Sequence, residues 1–432
     1  MPHHIRTHHG LIQQVRITPI AFRDGPLLNA SGIHEPWALR SIVEIETSDG
    51  RVGIAETYGD EPMVKVLTQA RALLTGLSPF DLNVMEERVR AAIQPGTPGD
   101  GSVQFELAPG SHTAKNADKV ISAMEVAMLD LQGQMLGLPI CDLLGGAVRT
   151  EVPYSAYLFY KYAEHAGKPY PPDAWGEALT PEQIVKQAQK MVADYGFKSI
   201  KLKGGVMAPA QEIAAIKALR DAFPTLPLRL DPNANWSLAT SLAAAEALDD
   251  LLEYYEDPTP GQAGMAELAL HSRMPLATNM CVTTLEEFKR NASTHAVKIL
   301  LSDHHYWGGL RATAALARMC SVFGLGMSMH SNSHLGISLM AMTHAAAAIP
   351  NLTYACDTHY PWQEEEVIQG GRIAFHEGAV KVPTTPGLGV KIDPVQLARL
   401  HQQYLDCGVR NRNDLAQMRK YDPSFTGICP RF

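Results

Sequence analysis

Residues 227–257 read PLRLDPNANWSLATSLAAAEALDDLLEYYED. A short apolar run, PLRLD, ends on an acid. The helix-forming segment SLATSLAAAEALDD follows, and a second run, LEYYED, again ends on acids. Strand, helix and strand in this order form a βαβ unit, whose strands run parallel because the helix carries the chain back across the sheet. The same rhythm holds on both sides. The runs VPYSAYLF, KSIKLK, PLRLD, LEYYED, PLATN, AVKILLSD, LGMSMH and LTYACD are separated by helical segments such as PEQIVKQAQKMVADYG and LRATAALARMCSVFG. Eight such runs predict an α/β fold, a (β/α)₈ (modified TIM) barrel over residues 149–370, with its chemistry at the C-terminal ends of the strands.

Residues 1–148 have another rhythm. LIQQVRITPIAF and RSIVEIETSDGRVGIAE alternate as antiparallel strands do, with SDG as a hairpin turn, and three segments with apolar residues every three or four positions follow. This predicts an N-terminal α+β capping domain, with residues 371–432 packing back to complete it. Two Gly/Pro-rich loops interrupt it, DGPLLNASGIHEP near residue 30 and QPGTPGDGSVQFELAPGSH near residue 100. The first is expected to be a lid.

At 432 residues, with 46% hydrophobic and 19% charged residues, the chain can build a sizeable core. A net charge of −8 gives no basic footprint for nucleic acid or a membrane surface, so the partners expected are small molecules. The apolar stretch ISLMAMTHAAAAIP is too short to span a bilayer and is broken by His344. The six cysteines form no CxxC pair and the first residues carry no apolar leader, which points to a reducing, cytoplasmic setting. His3, His4, His8 and His9 read as a frayed tail.

The eight runs end near Tyr157, Lys201 with Lys203, Asp231, Glu256, Asn279, Asp303, His330 and Asp357. One polar strand end is ordinary turn chemistry, but a full ring of them marks a site. Asp231, Glu256 and Asn279 fall on three consecutive strands, close enough for their oxygens to share one hard cation. Oxygen-only ligation suits Mg²⁺, whereas zinc would want histidine or cysteine. The plainer reading makes Asp231 and Glu256 helix caps. Asp303 and His330 lie on neighbouring strands, where a carboxylate can fix an imidazole's tautomer. His304 and His305 read as packing residues beside Tyr306 and Trp307.

Lys201 and Lys203 sit two apart on one strand and so share a face. Like charges at close range disfavour each other's protonated form, which would free one amine as a base. A lysine and a histidine on either side of a cation suit removal of a proton next to a carboxylate. The other reading is a phosphate site, with Gly204 and Gly205 forming an anion nest.

Taken together, KLKGG (201–205), DPNANWS (231–237), YYEDP (254–258), PLATNM, MHSNSHLGISL (329–339), CDTHYPWQ (356–363) and LLNASGIH (27–34) resemble the glucarate dehydratase group of the enolase superfamily. The resemblance covers nearly the whole chain. It implies a Mg²⁺-dependent β-elimination of water from a hexaric acid such as D-glucarate, giving a 5-keto-4-deoxy product, in a homo-oligomeric enzyme. By similarity, Lys203 is the base on one face of the sugar and His330, paired with Asp303, the base on the other, while Lys201 tunes Lys203 and helps neutralise the substrate carboxylate. Asn332 and Ser331 look like polar contacts at the seventh strand and His359 like one at the eighth. Asn29, His34 and Tyr157 match substrate contacts, and Arg412 resembles the arginine that grips the far carboxylate. The same bases without a leaving group would epimerise a 2-hydroxy acid, and a chain that only binds its ligand is a third reading. The sequence departs from the group's pattern around residue 100, at Asn116 and Ala117, and in SDHHYWGG.

Overall fold

The computed structural model describes residues 10–93, 112–167, 170 and 173–432. The N-terminal histidines and residues 94–111 of the second Gly/Pro-rich loop lie outside these described residues. The capping unit opens with a three-stranded antiparallel sheet, Ile12–Arg23, Trp37–Thr47 and Val52–Tyr58, the second strand in the middle. The SDG turn joins the last two strands, with Gly50 at φ +83°, a left-handed conformation glycine adopts without strain. Helices Glu61–Ala70, Leu82–Ala92 and Asn116–Leu136 follow the apolar spacing of their sequences. Asn116–Leu136 is buried along most of its length, including polar Ser122, Glu125 and Asp130, because it is wedged between the sheet and the barrel.

The barrel sheet holds seven parallel strands in chain order: Ala156–Phe159, Ile200–Lys203, Leu228–Asp231, Tyr254–Glu256, Leu276–Thr278, Ile299–Ser302 and Gly326–Met329. Its register pairs Lys203 with Asp231 and Tyr157 with Lys201. The expected eighth strand differs. In LTYACD the amides of Thr353 and Tyr354 both turn to the Met327 carbonyl, which no regular ladder allows. Only Cys356 and Asp357 bridge the gap, through Cys356 N to Pro153 O, Ser155 N to Cys356 O and Asp357 N to Met329 O, each 2.9 Å. The ring is thus closed between its seventh and first strands by an irregular segment. VPYSAYLF also splits, its first part pairing antiparallel with Ala379–Lys381.

After the barrel the chain returns to the N-terminal sheet. Helix Pro394–Cys407, capped by Asp393, lies on Ile12–Arg23, where His401 Nδ1 reaches Pro19 O at 2.6 Å and Gln403 donates to Ala21 O at 2.9 Å. The short helix Asp414–Met418 packs on the hairpin Leu28–Asn29 and Gly32–Ile33. That hairpin is the loop expected to be a lid. Leu27, Leu28 and Ile33 are buried in the main core and Leu28 N donates to Tyr160 O at 2.7 Å, so it forms a packed wall. Among the described residues no helix is long and apolar enough to cross a membrane.

Candidate active site

The strand ends converge at the barrel mouth, beneath a cavity of about 570 Å³ lined by residues of both units. In strand order, Lys203 stands on the second strand, Asp231, Glu256 and Asn279 at the ends of the third to fifth, Asp303 at the sixth and His330 at the seventh. The oxygen-bearing trio therefore lies between the lysine and the histidine.

Lys203 Nζ donates to Asp231 Oδ2 at 2.7 Å, and the Tyr157 hydroxyl donates to the same oxygen at 3.2 Å. Both lysine ammoniums lie over the Tyr157 ring, at 4.7 Å for Lys201 and 6.0 Å for Lys203, as expected for side chains on one strand face. Lys201 sits deeper, fully buried, within 2.7 Å of Asp357 Oδ2, 2.6 Å of Glu256 Oε2 and 3.5 Å of Asp231 Oδ2. Burial works against its charge, but Asp357 and Glu256 outweigh it and hold the ammonium well above the lysine range. The Lys201 ammonium sits among three buried carboxylates and offsets their charge.

After Lys203 the Gly204 amide donates to Asp231 O at 2.8 Å, and the amides of Gly205, Val206 and Met207 form a ring of donors that an internal acid fills. Glu212 accepts from Gly205 N at 2.9 Å and from Val206 N and Met207 N at 2.8 Å. Burial pushes its carboxyl up to about 7. The phosphate-nest reading is overturned by this occupant.

Asp231 and Glu256 are both wholly buried, with Asp257 beside them. Although burial raises Asp231, Lys203 and Lys201 bring it below the usual carboxylate range. Glu256 is driven well above that range, by burial first and then by Asp231, Asp357 and Asp257 against the pull of Lys201. Its Oε2 makes no hydrogen bond despite the close ammonium. The Asn279 amide completes the group. With its nitrogen turned to the acids it donates to Asp257 Oδ2 at 3.2 Å and Glu256 Oε1 at 3.3 Å, and with its oxygen turned to them three acceptors meet. Surplus buried negative charge and an amide oxygen able to join the carboxylates fit a hard divalent cation. Asp231, Glu256 and Asn279 are the residues that could hold one.

Asp303 and His330 form the expected pair, His330 Nδ1 lying 3.1 Å from Asp303 Oδ2. Burial works against the Asp303 charge, yet His305 and then His330 hold it well below the ordinary range. His305 is no mere packing residue: it is the second residue of a short helix, His304–Trp307, capped by Asp303, and its Nδ1 lies 2.8 Å from Asp303 Oδ1. An Asp followed two residues later by a His at a helix start was the available signal.

The residues matched to substrate contacts gather around the same cavity, several already engaged. His34 Nδ1 lies 3.1 Å from Asp24 Oδ2. Asn29 accepts from Ser31 N and Gly32 N and donates to Asp414 Oδ2 at 2.7 Å. Arg412 lines the wall, but Nε and Nη2 grip the two Asp414 oxygens at 2.7 Å each, and Nη1 lies 3.9 Å from Asp24 Oδ2. Ser331 Oγ lies 3.4 Å from His359 Nδ1, and Asn332 links the units by donating to the Tyr58 hydroxyl at 2.8 Å. His359 is pushed well below the imidazole range by burial first and then by His34 and His330. Tyr157 lines the cavity with its hydroxyl on Asp231. Arg40 and Asp357 were given no role from the sequence, although an arginine in the apolar run WALRSIVEI is a signal in itself.

A capping sheet over a parallel barrel, with acids on successive strands between a lysine and a histidine at the mouth, defines a class of two-part barrel proteins. The family models agree. Residues 37–145 match the mandelate racemase / muconate lactonizing enzyme N-terminal domain and residues 183–396 the enolase C-terminal domain-like family. The chain is 50% identical over 426 residues to a "Probable glucarate dehydratase" of Streptomyces coelicolor, covering 98% of this chain and 99% of that one. It belongs to the enolase superfamily. Among solved structures, an enolase from Pseudomonas fluorescens with bound magnesium, potassium and tartrate is 58% identical with a TM-score of 0.94, covering 98% of this chain and 100% of its own. One from Thermobispora bispora, complexed with magnesium and formate, is 52% identical with a TM-score of 0.93 and the same coverage.

Proposed function

We propose that this protein is a Mg²⁺-dependent dehydratase of acid sugars, acting on D-glucarate or a related hexarate such as L-idarate to give a 5-keto-4-deoxy product. One observation carries the reading: a lysine and a carboxylate-paired histidine flank, strand by strand, a buried set of oxygen donors that fits a hard cation. Lys203 or His330 takes the proton from the carbon next to the substrate carboxylate, according to that carbon's configuration. When bound at Asp231, Glu256 and Asn279, Mg²⁺ supplies positive charge against the negative charge that develops on that carboxylate. Lys201, fixed as a cation, contributes to the same balance from below. The departing β-hydroxyl takes its proton from His330 and leaves as water, and the resulting enol becomes the ketone by gaining a proton at carbon and losing the one on its oxygen.

The relatives support this reading. The Streptomyces protein carries a glucarate dehydratase name, and the Pseudomonas structure holds tartrate, a diacid with a hydroxyl beside each carboxylate. A cavity of about 570 Å³ is ample for a six-carbon diacid. Asn29, His34, Tyr157, Ser331, Asn332, His359 and Arg412 are its proposed substrate contacts. The division into residues 1–148, 149–370 and 371–432 belongs to the same proposal, supported by the return of helix Pro394–Cys407 to the first sheet.

The test is a library of hexaric, pentaric and aldonic acids with Mg²⁺, followed for keto-acid formation. Elimination from a hexarate, abolished in Lys203→Ala for substrates of one configuration, is the expected result. Deuterated epimers without keto product would replace dehydration by epimerisation, and ligand binding without turnover across the library would remove the enzyme reading.

A further inference from the structure

Arg40 comes from the middle strand of the capping sheet and is 2% exposed. Its Nε donates to Glu56 Oε1 at 3.0 Å and its Nη1 to Asn332 Oδ1 at 3.4 Å, while Nη2 lies 2.9 Å from His305 Nε2. A guanidinium has donors only, so His305 Nε2 must accept and the ring proton must sit on Nδ1. The Ser338 hydroxyl, 3.0 Å from the same nitrogen, offers a second donor. Nδ1–H then donates to Asp303 Oδ1 at 2.8 Å, and the His305 backbone N–H reaches that oxygen at 2.9 Å. Asp303 Oδ2 is left for His330.

From this chain of contacts we infer that Arg40 and His305 are positioning residues for the His330 half of the reaction. Arg40 dictates the His305 tautomer, His305 anchors Asp303 by one oxygen, and Asp303, so anchored, orients His330 with Nε2 toward the cavity. The effect on rate rests on the proposed proton chemistry, whereas the tautomer rests on hydrogen bonding alone. Asp303, His304 and His305 do carry ligand-type atoms within 4.8 Å of one another, but a guanidinium seated on His305 Nε2 opposes a second cation there. Lys203 takes no part in the relay, since its contacts run to Asp231 and the Tyr157 ring. The two halves of the site are therefore separable.

Two readouts test this. In nitrogen-15 spectra of the imidazoles, the His305 signals, identified by their loss in His305→Asn, should show a protonated Nδ1 and a bare Nε2. A protonated Nε2 overturns the inference whatever the activity. The second readout is hydrogen exchange in D₂O at hexaric acids of opposite configuration at the α-carbon, which report His330 and Lys203 separately. His305→Gln removes the donor to Asp303 and should slow His330-side exchange about 10- to 100-fold, the usual effect of losing such an outer partner. Lys203-side exchange should stay unchanged. His305→Asn keeps a donor near the Nδ1 position and should recover most of the loss, while Arg40→Gln should follow His305→Gln. Arg40→Gln also strips Glu56 of its partner, so the two His305 variants decide the matter if it does not fold. Equal loss on both sides, or loss on neither, overturns the inference. If the native protein exchanges neither substrate, the dehydratase reading falls while the nitrogen-15 spectrum still decides the tautomer.

Discussion

Lys201 shows how a strand-end residue can be found from sequence while its partners cannot. Its position and its shared face with Lys203 follow from period-two alternation in SIKLK. Its role does not, because the carboxylates that pair with it come from two other strand ends, Glu256 and Asp231, and from Asp357 in the irregular closing segment. Three acids around one ammonium make Lys201 a structural cation first. Lys201→Met would leave buried carboxylates uncompensated and should cost about 3–5 kcal/mol of stability, measured by denaturant unfolding without added metal. A change below 1 kcal/mol would show that the acids share protons and need no ammonium. Arg40 and His305 were hidden for a related reason: they meet across 265 residues of chain and between two structural units. No local pattern encodes such a meeting.

Elements were legible where rhythm was strong and illegible where a few bonds replace a ladder. Seven barrel strands follow their apolar runs, while LTYACD closes the ring irregularly. Helix Leu310–Val322 shows how the two units lock. Glu125 of the capping helix accepts from Leu310 N at 2.6 Å, and the preceding Gly309, at φ +112°, leaves room for that carboxylate: a Cβ there would lie 1.9 Å from Glu125 Oε2. Gly309→Ala should therefore destabilise by more than about 1 kcal/mol, since both backbone and space forbid the methyl. Calorimetry showing an unchanged or raised melting temperature would contradict this.

Helix Gly336–Ala348 carries a pH-sensitive tie. His344 Nδ1 accepts from Cys141 N at 3.2 Å and its Nε2–H donates to Leu388 O at 3.1 Å, an arrangement only the neutral ring can make. Burial holds it down to about 4. Below pH 6.5 the unfolded chain binds a proton that the folded one refuses, so this stabilisation is complete above 6.5 and lost as pH falls toward 4. The loss should be about 3 kcal/mol. His344→Gln, which cannot titrate, should flatten that part of the stability profile. An identical slope in both proteins would place the titration elsewhere.

At the scale of the whole molecule, the surplus of buried acids at the barrel mouth should make stability depend on a cation. Mg²⁺ at about 100 times its dissociation constant should stabilise the protein by about 2.7 kcal/mol, seen as a rise in melting temperature that chelation reverses. Glu256→Gln and Asn279→Ala should blunt that rise, and an equal rise in both variants would move the ion away from these residues. The overall architecture was legible because barrel strands announce themselves by apolar runs and the capping sheet by alternation. The occupancy of the far end was not. Arg412 could be named from its motif, yet its grip on Asp414 depends on where helix Asp414–Met418 docks.

The most direct test is a crystal structure of the protein with Mn²⁺ in place of Mg²⁺ and a bound hexarate, the ion located by its anomalous signal. The account predicts one ion touching Asp231, Glu256 and Asn279, with Lys203 and His330 on opposite sides of the substrate α-carbon. An ion held by other residues, or both bases on the same side of that carbon, would contradict it.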